Sequence, residues 1–492
     1  MPDRVSKDRG DGACEQALMS PVGPAVPRRR THPIVSTVRL SAISATLGPA
    51  NVMSTASKRK QSAVPATRVG RMLRFGLLSG ELALSTAIGT ARQWGAGKPV
   101  DLAAAVLTPG NAEMLARRLA TLRGPAMKVG QLLSLSGDEM VPEAFRNALG
   151  VLRSQGYSMP DSQLRRVLGR EYGKGWQQKF ARFDFEPVAA ASIGQLHRAR
   201  KHGGRELALK IQYPGVARSV DSDVDNLAGL LRRLDFIPIQ LDVRSLAAEA
   251  KRQLKLETDY ESEARNLERY RRLVADMPDV IVPRVDRTLT TRHVLAMDWI
   301  DGEPLEALAS EAVPQARRNA AGRTLYELMF RELFEFRFMQ TDPNIANYLY
   351  VPATHQLVLL DLGSVGEYPA PLVEGYRKAC RAVLSGDDAA LREAVFEIGY
   401  AHPDDPAEMT RNSVGIVRLA CEPLTHRGLY DFAESGLMVR ARDLGLAVAF
   451  GKGLRSPPPA TIFLHRKLIG TFLICAKLRA RVNVHAAIER YL

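Results

Sequence analysis

The chain has 492 residues and a formal net charge of +15, and 46% of its residues are hydrophobic and 25% charged. These proportions are ordinary for a folded soluble protein, and they exclude wholesale disorder, a collagen-like repeat and a multi-span membrane protein. The four cysteines lie far apart and form no CxxC pair. We therefore expect neither a zinc site nor a disulfide framework, and the cysteine usage favours a reducing compartment.

The excess positive charge is concentrated at the amino terminus. Residues 1–70 carry eleven Lys or Arg against four Asp or Glu, and no acidic residue occurs between Glu15 and Glu81. We predict a disordered basic arm over residues 1–66, although the composition also fits a transit peptide, and a start at Met53 would fit as well. A nucleic-acid-binding role is not expected, because no aromatic and basic recognition motif accompanies the charge.

Residues 67–180 are predicted to form a helical amino-terminal extension, because apolar residues recur in them at helical spacing. The first part, residues 68–91, is basic at its front and apolar behind. This pattern fits either a helix lying on an anionic membrane surface or an ordinary helix packed on the core. The chain has no uninterrupted run of about 18 apolar residues, so a transmembrane helix is not expected.

The remaining sequence predicts two lobes of different composition. Residues 181–300 contain a β-hairpin with Gly203 and Gly204 at its tip, a helical stretch over 243–275, and two further short β-prone segments. Residues 301–492 are predicted to be mainly helical. The fold class is therefore α+β and bilobal, with a small sheet-bearing lobe, a helical lobe and a nucleotide cleft between them.

The strongest motif is Gln340-Thr-Asp-Pro-Asn-Ile-Ala-Asn347, followed fourteen residues later by Asp361-Leu-Gly363. In a protein kinase, the catalytic-loop Asp orients or deprotonates the attacking hydroxyl, and an Asn five residues later and a further Asp bind Mg²⁺. The spacing predicts Asp342 as the catalytic residue and Asn347 and Asp361 as metal ligands. Each fragment alone would fit a plain turn or a strand end, but together and in order they indicate Mg-ATP chemistry.

A lysine and a glutamate complete the predicted phosphate site. Lys210 ends the apolar run Leu207-Ala-Leu, as the lysine of the kinase Val-Ala-Ile-Lys signature does, and is predicted to bind the ATP phosphates. We expect Glu257-Thr-Asp-Tyr-Glu-Ser-Glu263 to lie on one helix, with Asp259 and Glu263 on a shared face and Glu257 elsewhere. Glu263 is the predicted partner of Lys210.

The segment Ala189-Ala-Ala-Ser192 stands where a kinase has its glycine-rich phosphate loop. The Cβ atom of alanine stiffens the backbone, so we expect nucleotide contact to be altered rather than abolished, and a tight turn without a ligand is the alternative. The further candidate nucleotide contacts, beside Ala189, Ala190, Ala191, Ser192 and Lys210, are Met297 and Trp299.

Taken together, these motifs resemble the UbiB/AarF atypical protein kinase-like family, which includes the coenzyme Q biosynthesis kinases. The resemblance runs from about residue 85 to the carboxyl terminus and includes Lys128-Val-Gly-Gln131 and Leu464-His-Arg-Lys467. It implies that Lys128 and Gln131 belong to the amino-terminal extension, which would lie over the cleft where a kinase binds its protein substrate. It also implies that Lys128 meets the acids of Glu257-Thr-Asp259. Leu362 replaces the usual phenylalanine of the Asp-Phe-Gly motif, as is common in this family.

The resemblance implies a Mg-ATP-dependent ATPase or small-molecule or lipid kinase that supports isoprenoid-quinone biosynthesis at a membrane surface. The alternative is a nucleotide-binding pseudokinase scaffold that organises a lipid or quinone biosynthetic complex. The expected partners are ATP or ADP, with peripheral contact to anionic membrane lipid or to quinone-biosynthetic proteins, and no nucleic acid. The expected location is cytoplasmic, with possible peripheral membrane attachment, or the mitochondrial matrix side in a eukaryote.

Overall fold

The computed structural model describes residues 158–191, 193–233, 243–450, 454–455 and 457–492. The predicted basic arm and most of the predicted helical extension lie outside the described residues. So do Lys128, Gln131 and Ser192.

The small lobe is built on an antiparallel sheet in the order β1-β3-β4-β6, with β2 paired to β3. Its strands are β1 (Phe180–Phe183), β2 (Ala189–Ala190), β3 (Gly194–Lys201), β4 (Glu206–Gln212) and β6 (Val294–Asp298). Its helices are α1 (Asp161–Tyr172), α2 (Val216–Arg233), α3 (Val243–Glu257) and α4 (Tyr260–Leu273), with a short 3-10 turn at Trp176–Lys179.

Strands β3 and β4 form the predicted hairpin, and Gly203 and Gly204 at its tip have φ angles of 93° and 88°. Only glycine adopts such angles without strain, which is why the turn falls there. Leu207, Leu209 and Ile211 alternate along β4 and are fully buried. Lys210 therefore points to the opposite face of the sheet, because successive side chains of a strand alternate.

The helical stretch predicted over 243–275 is present, but it is broken into α3 and α4. The expectation that Glu257, Asp259 and Glu263 share one helix is wrong, because α3 ends at Glu257 and α4 begins at Tyr260. The Asp259 carboxylate caps α4 by accepting a hydrogen bond of 3.0 Å from the backbone N–H of Ser262. Such a capped start fixes the direction of the new helix, and hence the position of Glu263 in its first turn.

The second lobe is mainly helical. Its helices are α5 (Gln315–Arg331), α6 (Ala370–Ser385), α7 (Asp388–Ile398), α8 (Ala407–Ala420), α9 (Glu422–Thr425), α10 (Leu437–Phe450), α11 (Pro459–Lys477) and α12 (Val484–Glu489). Shorter helical turns are Leu305–Ala309, the π-helical Glu332–Phe336 and Ile345–Asn347.

The second lobe also contains short strands. They are β7 (Glu303–Pro304), β8 (Phe338–Gln340), β9 (Tyr348–Val351), β10 (Gln356–Leu359), β11 (Val365–Glu367), β12 (Tyr430–Asp431) and β13 (Arg481–Val482). The β-prone segment predicted at 280–283 is β5 (Val280–Ile281), which pairs in parallel with β10 and not with the small-lobe sheet. The α+β class with a sheet-bearing first lobe is confirmed.

Helix α11 is, among the described residues, the one helix that is long and apolar enough by length and composition to cross a membrane. Sequence reasoning did not single it out. In this structure α11 packs within the helical lobe, and Lys467 at its centre is 2% exposed and ion-paired with Glu332. These contacts are those of a core helix.

Candidate active site

The predicted catalytic loop lies between β8 and β9. Asn344 caps the short helical turn Ile345–Asn347 by accepting from the N–H of Ala346. The side-chain amide of Asn347 donates a 3.0 Å hydrogen bond to the backbone carbonyl of Asp342. This contact orients the Asn347 side chain and directs its Nδ2 to the loop, so that Oδ1 is the atom suited to a metal ion.

Asp361 follows β10 and faces the small lobe. Its Oδ1 accepts a 2.9 Å hydrogen bond from the backbone N–H of Gly363, which fixes the carboxylate orientation. Leu362 between them is fully buried, and its carbonyl accepts from the Asn266 side chain of α4 at 2.9 Å. The Asp361-Leu-Gly363 turn is thus tied to α4, which also carries Glu263.

Lys210 joins the two lobes through one ammonium group. Its Nζ lies 2.9 Å from Glu263 Oε1 and 2.8 Å from Asp361 Oδ2. The side chains of Lys210 and Glu263 are 12% and 1% exposed, whereas that of Asp361 is 27% exposed. The fold therefore brings together three predicted site residues that are 53 and 151 positions apart along the chain.

The charges of this cluster do not cancel, since two carboxyl groups share one ammonium group. Burial raises the pKa of Glu263 to about 8, and the nearby Asp361 carboxylate adds to the rise while Lys210 opposes it. Burial alone would lower the pKa of Lys210, but Asp361 and Glu263 outweigh it, so that this pKa is raised well above its usual range. A cation bound at Asp361 would relieve the repulsion between the carboxylates.

The alanine segment lies at the edge of the small-lobe sheet. Ala189 and Ala190 pair with Leu196 and Gln195 of β3, and the N–H of Ala191 donates to the Gly194 carbonyl at 2.9 Å. A Cβ atom added at Gly194 would lie 2.4 Å from the carbonyl oxygen of Ile211, so β3 can approach β4 here only because this residue is glycine. Sequence reasoning missed Gly194.

Met297 and Trp299 differ in their relation to Lys210. Met297 of β6 is buried and pairs with Ala208 of β4, which places it on the same face of the sheet as Lys210. Trp299 lies beyond the strand, its indole N–H donates to Asp301 at 2.7 Å, and the guanidinium of Arg198 stacks over its ring. Met297 is therefore the better placed of the two for contact with a nucleotide.

Helix α11 supports the catalytic loop from behind, which the sequence reasoning did not derive. The Nζ of Lys467 lies 2.9 Å from Glu332 and 3.1 Å from the Gln340 side chain. A Cβ added at Gly470 would lie 2.1 Å from Cγ of Pro343, so the loop rests directly on the helix backbone. The adjacent Arg-Lys pair at the centre of an apolar helix was the available signal.

The described residues fit an ATP-bound magnesium ion. Asp361 and Asn347 offer the carboxylate and amide oxygens that this ion prefers, and Lys210 offers a cation for phosphate oxygens. Two carboxyl groups face the single ammonium group of Lys210, and a divalent cation would offset the additional negative charge.

Comparison with known proteins agrees with this geometry. Residues 151–395 match the ABC1 atypical kinase-like domain family. The chain is 37% identical over 438 residues to the atypical kinase coq-8, mitochondrial, of Caenorhabditis elegans, and the match covers 87% of this chain and 58% of that protein. The chain thus spans less than two thirds of the length of this relative.

Two fungal relatives are covered more fully. The atypical kinases COQ8, mitochondrial, of Schizosaccharomyces pombe and Saccharomyces cerevisiae are 35% and 32% identical, with 86% of this chain matched and 69% and 84% of those proteins covered. The solved complex of Rv3197 with erythromycin from Mycobacterium tuberculosis is 25% identical with a TM-score of 0.55, covering 76% of this chain and 93% of that one. The chain therefore belongs to the ABC1 (UbiB/COQ8) family of atypical kinase-like proteins and has their bilobal kinase-like fold.

Proposed function

We propose that this protein binds ATP with Mg²⁺ and acts as an ATPase or as a small-molecule or lipid kinase. The observation that carries the proposal is the contact of Lys210 with both Glu263 and Asp361, at 2.9 and 2.8 Å. These residues come from a strand, a helix and the Asp-Leu-Gly turn, which are the elements that supply the phosphate-binding lysine, its glutamate and a metal-binding aspartate in protein kinases. A single surface ion pair would not carry this argument, but a largely buried cluster of three charged groups that joins the two lobes does.

Each residue has a role that follows from its position. Glu263 holds Lys210, and Lys210 is directed toward phosphate oxygens. Asp361 and Asn347 would hold the metal ion, while Asp342 would orient a hydroxyl group or a water molecule and accept its proton. Bound ATP would supply the phosphoryl group, and its metal ion would offset the charge on the phosphates.

The alanine segment and the amino-terminal extension are proposed to tune this site. Ala189, Ala190, Ala191 and Ser192 would cover the nucleotide with a stiffer loop than glycines form. Lys128 and Gln131 would close the acceptor side of the cleft, with Lys128 against Glu257 and Asp259. The extension over the acceptor side argues against a peptide as acceptor.

The names of the relatives support a proposal about the biological setting. Several of them are named as mitochondrial COQ8 kinases, and the family includes coenzyme Q biosynthesis kinases. We propose that the protein supports isoprenoid-quinone biosynthesis of the ubiquinone type through peripheral contact with anionic lipid or with quinone-biosynthetic proteins. Mitochondrial location, on the matrix side, is proposed for a eukaryotic source.

A nucleotide-binding scaffold is the second candidate, and the pairing of Ala189 and Ala190 into the sheet favours it. Strand pairing holds the alanine backbone in place, and this limits its movement onto phosphates. The scaffold would bind nucleotide and organise a biosynthetic complex without needing turnover.

The test is Mg²⁺-dependent release of phosphate from ATP by the full chain, with and without vesicles containing anionic lipid. The Asp361→Asn and Lys210→Ala variants are measured in parallel. We expect turnover in the wild type that both substitutions abolish and that vesicles increase. Tight nucleotide binding without turnover would reject the enzyme in favour of the scaffold, and absence of both would reject the nucleotide site.

A further inference from the structure

The catalytic loop lacks the basic residue that kinases place directly before the catalytic aspartate. The kinase loop reads His-Arg-Asp, whereas Asp342 is preceded by Gln340 and Thr341. An aspartate in a partly buried cleft is stabilised as a carboxylate by a nearby cation. A cation that stabilises the Asp342 carboxylate must therefore come from another part of the chain.

Arg466 of α11 supplies that cation. Its Nη2 lies 2.5 Å from Asp342 Oδ1, although the residues are 124 positions apart. The side chains of Arg466 and Asp342 are 10% and 15% exposed. The pair is therefore largely shielded from solvent, where a charge-assisted hydrogen bond is stronger than at a surface.

The guanidinium of Arg466 is committed to this contact. Its Nε and Nη1 atoms are buried and have no hydrogen-bond partner among the described residues. A buried guanidinium is costly unless an anion compensates its charge. Among the described residues, Asp342 is the anion that pairs with Arg466, and its carboxylate compensates the charge of this buried arginine.

The backbone on either side holds the pair in a fixed geometry. The Gln340 side chain donates to the Asp342 carbonyl at 2.6 Å, and Lys467, the neighbour of Arg466, contacts that same Gln340 side chain. The close approach of Gly470 to Pro343 locks α11 against the loop. Consecutive residues of one helix therefore hold the carboxylate and, through Gln340, the backbone of Asp342.

We propose that Arg466 is a positioning residue that orients the Asp342 carboxylate toward the acceptor. This proposal rests on the function proposed above, because it gives Asp342 the acceptor-activating role. Arg466 acts through Asp342 and does not itself bind the nucleotide. Its loss should thus lower the rate of the chemical step without weakening nucleotide binding.

The test compares steady-state ATP turnover and nucleotide affinity of Arg466→Lys, Arg466→Ala and the wild type. We expect Arg466→Ala to lower kcat by about 100-fold, because a misplaced catalytic group costs that much, with KM for ATP and the affinity for ADP unchanged. Arg466→Lys should retain an intermediate kcat, and millimolar guanidinium ion should partly restore Arg466→Ala. The matched control is Arg455→Ala, which removes an arginine paired with Asp405 at the surface.

Three results would overturn the proposal: an unchanged kcat in Arg466→Ala, a parallel loss of ADP affinity, or equal losses in Arg466→Ala and Arg455→Ala. A measurement independent of turnover is a double-mutant cycle of melting temperatures with Arg466→Met and Asp342→Asn. The proposal requires strongly non-additive shifts, and additive shifts would refute it. If the wild type has no turnover, the proposed function fails, while the cycle still decides whether Arg466 holds Asp342.

Discussion

Two buried lysine and glutamate pairs lie among the residues that the structure describes, and they differ in what surrounds them. In the cleft, Lys210 faces Glu263 and a second carboxylate, Asp361, which is partly exposed. In the helical lobe, Lys467 is paired with Glu332, the one carboxylate of the described residues that forms an ion pair with it, and the two side chains are 2% and 0% exposed. The Lys210 cluster has two carboxyl groups for one ammonium group and contacts solvent at Asp361. The Lys467 cluster has one carboxylate for one ammonium group and is closed to solvent.

In the closed Lys467 cluster, neutral groups donate further hydrogen bonds to the carboxylate. Glu332 also accepts hydrogen bonds from the Tyr270 hydroxyl at 2.7 Å and from the Gln340 backbone N–H at 2.9 Å. Burial alone would lower the pKa of Lys467, but Glu332 and Tyr348 reverse the effect and raise it. A lysine and glutamate pair whose charges cancel in a closed interior is typical of a structural role, whereas a pair with an uncompensated second carboxylate is typical of a candidate functional site.

The largest expected effect on stability is that of Lys467→Met. The substitution leaves the Glu332 carboxylate buried without its cation, which should cost about 3–5 kcal/mol in the free energy of unfolding. Urea denaturation measures it. Lys477→Met, on the same helix but exposed and paired with Glu306, is the control and should leave the unfolding curve nearly unchanged. Equal effects of the two substitutions would remove the distinction between a closed core cluster and a surface pair.

Gly470→Ala should have the next largest effect. Its Cβ would meet Pro343 at 2.1 Å, so either the loop or α11 must move, at about 1–3 kcal/mol of stability. ATP turnover should fall as well, because Asp342 lies beside Pro343. Gly415→Ala of α8, which has nothing within 4 Å of the added Cβ, should instead gain roughly 0.5–1 kcal/mol. Thermal unfolding and phosphate release would measure both, and an unaffected turnover in Gly470→Ala would contradict the support assigned to α11.

Lys210→Met is expected to affect ATP turnover more than the free energy of unfolding. Turnover should fall below detection, while the loss of stability should be smaller than for Lys467→Met, because Glu263 can take up a proton and Asp361 contacts solvent. Parallel measurements of unfolding by urea and of ATP turnover test this. A Lys210→Met protein as destabilised as Lys467→Met would show that the cleft cluster is structural.

A pH dependence of stability is expected from the same cleft cluster. The folded-state pKa of Glu263 is raised to about 8 from 4.5, so between these values the folded protein binds a proton that the unfolded chain has lost. The contribution of Glu263 to stability is present at low pH and is lost as the pH rises toward 8. Glu263→Gln should therefore remove part of the decline in melting temperature between pH 5 and pH 8. An identical decline in the variant would show that Glu263 does not titrate in this range.

Much of the site could be predicted from sequence, because its signals are local. Asp342, Asn347 and Asp361 stand at fixed spacing in loops, and the hairpin tip is marked by Gly203 and Gly204. The sequence predicts Glu263 as the partner of Lys210, and the structure shows this contact. The predicted single helix is wrong, since one helix ends at Glu257 and the next begins at Tyr260. A break of this kind leaves little trace in apolar periodicity, because Asp259 is a cap only if the chain turns there.

The sequence alone determined the family, the α+β class and the identity of the phosphate-site candidates, because each is encoded by short motifs whose residue types follow from the chemistry they perform. Only the tertiary structure decided that β5 joins β10, that Gly194 and Gly470 allow close backbone contacts, and that Arg466 reaches Asp342. These contacts join residues far apart in the chain, and their partners are set by packing and by the neutralisation of buried charge, which no local pattern specifies.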